Sequence, residues 1–262
     1  MFAKAVPLKF AEHRDLKVLE TNDYSYARSE VLAPIVFDEM ADIAREYPIV
    51  FPSNGSGLPA ALLGLEAGQN AYIAEDGRWL GTYIPALIRR YPFALAKAAG
   101  EADSQKFTVA IDTEAPHFRE PNGHAVFTPQ GELSDHTKRR AQLLVEIQKK
   151  LPLTQRLVAD IEAAGLLVER LVRIRKRGAP EHRVSGLRVV DEAKLNALPH
   201  EVFATLRDKG VLPLVYAHLL SWANFRQGPI AGKYPDLATR PETKNPSFLF
   251  EKDDTIDFSK LS

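Results

Sequence analysis

Hydrophobic and polar positions along the chain alternate in short blocks, with one long helical stretch past the middle. Residues 5–19 break like a short extended segment, with Pro7 marking an edge or a strand start. Ile35, Phe37, Met40 and Ile43 follow a helical spacing, so a short helix is expected from Pro34 to Ala44. Ile49–Phe51, Ala60–Leu65 and Asn70–Ala74 are three extended stretches separated by turn-forming residues, which predicts an antiparallel meander. Tyr83–Lys97 is apolar around paired arginines; Pro85 can open a helix there, whereas Pro92 must end or kink it. Phe107–Asp112 has the clearest strand pattern, and Ala125–Thr128 has a weaker one.

Ser134 reads as a helix N-cap, and the amphipathic run after it reaches Ala164. Pro152 divides that run into two helices or one kinked helix, with Gly165 as the terminator. Val168–Ile174 and His182–Val190 are expected to pair around a Gly178–Pro180 turn, followed by helices at Lys194–Asp208 and Leu214–Phe225. Strands and helices segregate without a regular βαβ alternation, which predicts an α+β fold. In this reading residues 1–120 form a β-meander unit with helices, and residues 121–227 form a helix-rich half containing a β-hairpin. Residues 228–262 form an extended C-terminal tail.

Composition narrows the function classes. Lys+Arg and Asp+Glu number 34 each, and this balance argues against a nucleic-acid or anionic-membrane partner. The one dense basic stretch, Arg170–Arg177, suits a charged strand edge or hairpin. The chain has no cysteine, which excludes disulfides, thiolate catalysis and cysteine-ligated metal. No signal peptide or membrane-spanning run is visible, so a cytoplasmic protein without membrane insertion is expected.

The phosphate-loop, dinucleotide, serine-elbow and zincin signatures are all missing, which lowers the odds of those enzyme classes and leaves any cofactor unknown. Arg89 and Arg90 suit bidentate capture of a carboxylate or phosphate, although an internal salt bridge to Glu46 or Asp112 explains them equally well. Trp79, Tyr83 and Tyr91 could line a pocket for an aromatic or peptide ligand, or simply belong to the core. Asp112 is a strand-end carboxylate, a type that commonly caps turns. His218, Ser221 and Asn224 form a polar stripe on the last helix that holds a ligand or satisfies backbone groups where helices cross. His117 and His124, beside Glu114 and Glu120, offer a two-histidine metal site or a solvated loop.

Several of these blocks are distinctive in combination: Val6-Pro7-Leu8, Arg45–Phe51 (REYPIVF), Ala61–Leu65 (ALLGL) and Tyr83–Phe93 (YIPALIRRYPF). Val189–Glu192 (VVDE) and Tyr216–Ser221 (YAHLLS) with Asn224 extend the pattern. Over residues 5–227 the chain resembles the SapC family of bacterial surface-layer-associated proteins. The resemblance implies a link to the cell surface or an outer-membrane uptake system, and it supplies no catalytic residue. Taken with the missing catalytic signatures and the apolar segment that embeds Arg89 and Arg90, it leads to an accessory protein that binds a peptide, polypeptide or small ligand. The alternatives are a metal-dependent or tailoring enzyme using His117/His124 or His218 with Asp112, and a structural subunit of the surface layer. A homodimer through the last helix or the tail is a further expectation.

Overall fold

A computed structural model describes residues 1–53, 56–97, 107–118, 122–174 and 182–235. In chain order the elements are β1 (Ala5–Pro7), α1 (Phe10–His13), β2 (Lys17–Val18), β3 (Leu32–Pro34), α2 (Met40–Glu46), β4 (Ile49–Pro52), β5 (Ala60–Leu62) and α3 (Ala86–Arg89). They continue with β6 (Phe93–Lys97), β7 (Phe107–Asp112), β8 (His124–Ala125), α4 (Asp135–Ala163), β9 (Leu167–Ile174), β10 (His182–Val190), α5 (Glu192–Asn196), α6 (His200–Asp208), α7 (Leu212–Ser221) and α8 (Gly228–Lys233). Short 3₁₀ turns at Ser25–Ala27, Phe37–Glu39, Pro116–Phe118 and Trp222–Phe225 join them. The fold is α+β with antiparallel sheets, as the segregated pattern predicts.

The central sheet has five strands in the order β3-β5-β4-β10-β9, and it takes strands from both sides of residue 120. Its centre is entirely apolar because helices cover it: Ile49, Val50, Phe51, Ala61 and Leu62 are all buried. The basic stretch begins on β9, the sheet's edge strand, where charge discourages pairing with another chain. The β9–β10 hairpin forms as expected, with a register shift between Val184 and Leu187 where Gly186 adopts φ +79°. Its Gly178–Pro180 turn lies outside the described residues.

Only part of the meander is realised. Strands β4 and β5 pair, but Asn70–Ala74 contributes a single bridge, Ile73 to Trp79. The third position is taken by β3, which ends at Pro34, where a helix was expected to begin. The helix itself starts only at Met40, after the 3₁₀ turn at Phe37–Glu39. A second sheet, β1-β7-β6, uses Phe93–Lys97, so beyond Pro92 the chain is a strand.

Helix α4 is one continuous helix of 29 residues. Ser134 caps it, its Oγ accepting from the Thr137 N–H at 3.2 Å. Pro152 lies inside it and has no N–H to donate to the preceding turn. Leu144, Ile147, Leu157, Val158 and Ile161 form the buried stripe, and Gly165 at φ +69° stops the helix. The expected helix at Lys194–Asp208 is divided by Pro199 into α5 and α6. Residues 228–233, expected as the start of an extended tail, are helical, and they dock Ile230 and Tyr234 into the main core. Residues 236–262 lie outside the described residues. Among the described residues no helix is long and apolar enough to cross a membrane.

Candidate functional site

Four segments distant in sequence line a cleft of about 370 Å³. The first, running out of β2, gives Val18–Asn22 as one wall and then Tyr24 and Tyr26, the cap and the middle residue of the Ser25–Ala27 turn. The α3–β6 junction supplies Arg89, Tyr91, Pro92 and Phe93. His117 enters from the Pro116–Phe118 turn, and α4 contributes His136 and Arg140, which lie one helical turn apart on the same face.

Aromatic contacts hold this wall. Tyr26 stacks on Tyr91 with centroids 4.4 Å apart and planes 20° apart, and His117 meets both rings edge-on at 5.2 Å. The Tyr91 hydroxyl donates to Asp112 Oδ2 at 3.1 Å. Asp112 is fully buried and also accepts backbone N–H groups from Ala3, Lys4 and Glu114. Burial alone would push its carboxyl up, but the four hydrogen bonds together outweigh that and hold it below the usual range. Asp112 is thus an ionised clamp behind the cleft that fixes the Tyr91 ring, and its oxygens are already occupied.

The cleft carries opposed charges at fixed places. Glu20 Oε1 accepts from His136 Nε2 at 3.0 Å and from an Arg140 Nη at 3.3 Å. Arg89 is exposed and forms no ion pair among the described residues; its guanidinium lies 5.4 Å from the Tyr83 ring centroid. Burial, with the nearby Arg140 charge, lowers the His117 pKa to about 4, so the imidazole is neutral at pH 7. Its Nδ1 is buried without a hydrogen-bond partner among the described residues.

The residues singled out in the sequence separate into three places. Arg89 and Tyr91 line the cleft together with His117. Trp79 and Tyr83 stand behind the wall: Trp79 touches the Tyr24 ring at 5.7 Å and donates to the Tyr47 hydroxyl at 2.8 Å, and the Tyr83 hydroxyl donates to Glu39 at 3.1 Å. Arg90 points elsewhere, its guanidinium 5.4 Å from the Phe2 ring centroid and its Nε buried without a hydrogen bond to a described residue. Neither arginine forms the expected bridge to Glu46 or Asp112. Glu46 instead accepts the Thr82 N–H at 2.7 Å, and Asp112 is filled by the donors already described.

His218, Ser221 and Asn224 occupy a third place, where helix crosses sheet. His218 Nδ1 donates to the Ile49 carbonyl at 2.8 Å, and its Nε2 accepts from the Val190 N–H at 3.1 Å. The Ser221 hydroxyl accepts from the Ile49 N–H at 2.9 Å and donates to the His218 carbonyl. Asn224 donates to the Ala44 carbonyl at 2.9 Å. This stripe serves backbone groups, and His218 and Asp112 share no partner. His124 stacks on His136 with centroids 4.6 Å apart, so the imidazole beside it is His136, where the sequence suggested His117.

The sequence reading overlooked Glu20, Tyr24, Tyr26, His136 and Arg140. Of these, only the four-residue spacing of His136 and Arg140 on a predicted helix was a local signal. The rest converge through tertiary contacts. No curated protein and no solved structure gives a significant match to the chain. The SapC family model matches residues 8–227, and the chain with this cleft belongs to the SapC family.

Proposed function

We propose that this SapC-family protein is an accessory binding protein that captures the carboxylate of a peptide C-terminus or of a small aromatic acid. It does so in the service of a bacterial cell-surface or uptake system. The observation that carries the reading is Arg89: an exposed guanidinium with no ion-pair partner among the described residues, at a cleft walled by Tyr24, Tyr26 and Tyr91. A guanidinium fork matches a carboxylate in geometry, and tyrosine faces accept an aromatic or aliphatic body. Neutral His117 adds polar surface without a competing charge.

The test is a titration with N-acetyl-phenylalanine and indole-3-acetate, followed by tyrosine and tryptophan fluorescence and by calorimetry. Saturable binding that weakens at least about tenfold in Arg89→Ala and is unchanged in Arg90→Ala supports the reading. No saturation at millimolar ligand, or equal affinity in wild type and Arg89→Ala, overturns it.

A further inference from the structure

We infer that Glu20, His124 and His136 form a binding site for one divalent transition-metal ion in the wall of the cleft. Three elements bring them together. Glu20 lies two residues beyond β2, His124 sits on β8 paired opposite Val18, and His136 is in the first turn of α4. One ligand atom from each lies within 4.8 Å of the other two. The 3.0 Å between His136 Nε2 and Glu20 Oε1 falls within the spacing of about 2.9–3.4 Å that adjacent ligands take at metal bonds of about 2.0–2.1 Å. His124 is exposed on a two-residue strand, and a turn of its ring out of the stack on His136 would close the remaining gap.

The hydrogen bond between Glu20 and His136 accounts for two members of the group but gives no reason for the third. The His124 side chain makes no hydrogen bond to a described residue; the residue is held by its backbone pairing and by the stack on His136. His136 is 7% exposed, and its Nδ1 is buried without a hydrogen-bond partner among the described residues. Arg140 approaches only Oε1 of Glu20, which leaves Oε2 without a hydrogen bond from a described residue. Two imidazoles and one carboxylate favour Zn²⁺, Co²⁺ or Ni²⁺ over Mg²⁺ or Ca²⁺, which prefer all-oxygen shells. Glu20 and His136 both line the cleft, so coordination positions left open by the protein are reached from it.

The site does not depend on the carboxylate-binding reading, and its test contains no carboxylate ligand. Tag-free full-length protein is stripped with a chelating resin, then titrated with Zn²⁺ by calorimetry and with Co²⁺ by visible absorption. One equivalent is expected, with affinity reduced at least about tenfold in His124→Ala and in Glu20→Gln. His200→Ala, a change at an exposed histidine on α6, should leave the titration as in wild type. Both ligand variants are at exposed positions, and an unchanged far-UV spectrum establishes that they fold. No saturable binding, or equal affinity in wild type, His124→Ala and Glu20→Gln, overturns the inference, the second outcome marking scattered surface binding.

Discussion

The Ala86 N–H donates to Glu39 Oε1 at 2.8 Å across 47 residues of sequence, and the carboxylate that receives it is buried. The same oxygen accepts the Tyr83 hydroxyl at 3.1 Å, while Oε2 accepts the Val36 N–H at 3.1 Å. One side chain therefore pins the start of α3, and with it Arg89, to the turn ahead of α2. Burial raises the Glu39 carboxyl despite these donors.

Glu39→Ala strands two backbone N–H groups, and we expect a loss of about 2–4 kcal/mol in urea unfolding. Glu39→Gln keeps one accepting oxygen but sets an amide donor against a backbone donor, so its loss is intermediate. A loss below about 0.5 kcal/mol in Glu39→Ala would remove the clamp from the account.

Acid should weaken the fold through His218. Burial lowers its pKa from 6.5 to about 4, only partly offset by the bond to the Ile49 carbonyl. The folded state thus holds the neutral form. Its stabilisation is complete above pH 6.5, drains as the pH falls toward 4, and amounts to about 3 kcal/mol at full loss. His117 is lowered to a similar value and adds its own share. In urea unfolding, the pH slope of His218→Asn should be shallower than that of wild type by about half a proton at pH 6.5, rising toward one proton near pH 5. Equal slopes would exclude His218 as a source.

Gly64 tests the tight turn after β5. A Cβ there would lie 2.1 Å from the Gln69 carbonyl oxygen, a backbone atom with little freedom to retreat. Gly64→Ala should cost about 2–3 kcal/mol and lower the melting temperature by about 5–10 °C. Gly68→Ala is the comparison: φ is +75° and the space is open, so only backbone strain of about 1 kcal/mol is expected. Equal melting shifts in the two variants would contradict this reading of Gly64.

Local chemistry was legible wherever one residue decides the outcome. Ser134 and Gly165 bound α4 as their side-chain and backbone preferences demand, and the alternation in Phe107–Asp112 does become β7. Partner choice was not legible. Leu32–Pro34 is a strand because β5 offers it an edge, and Phe93–Lys97 is a strand because β7 does. The cleft shows the same division. Arg89 and Tyr91 stood out by composition, whereas Tyr26 and Glu20 acquire their roles only when Tyr91 and His136 arrive from distant segments.

The pairing of β4 with β10 also bears on how the chain is made. Pro52 meets Leu187, a residue synthesised about 135 positions later. At roughly 5–20 residues per second, one side of Ile49–Phe51 waits for its neighbour for roughly 7–27 s on the ribosome. That side is an apolar strand edge, the kind of surface on which nascent chains cross-associate. Pro48 and Pro52 flank it and have no N–H to offer an intruding strand. The two prolines of this short stretch thus guard the strand edge at its most vulnerable moment, before the fold that will cover it exists.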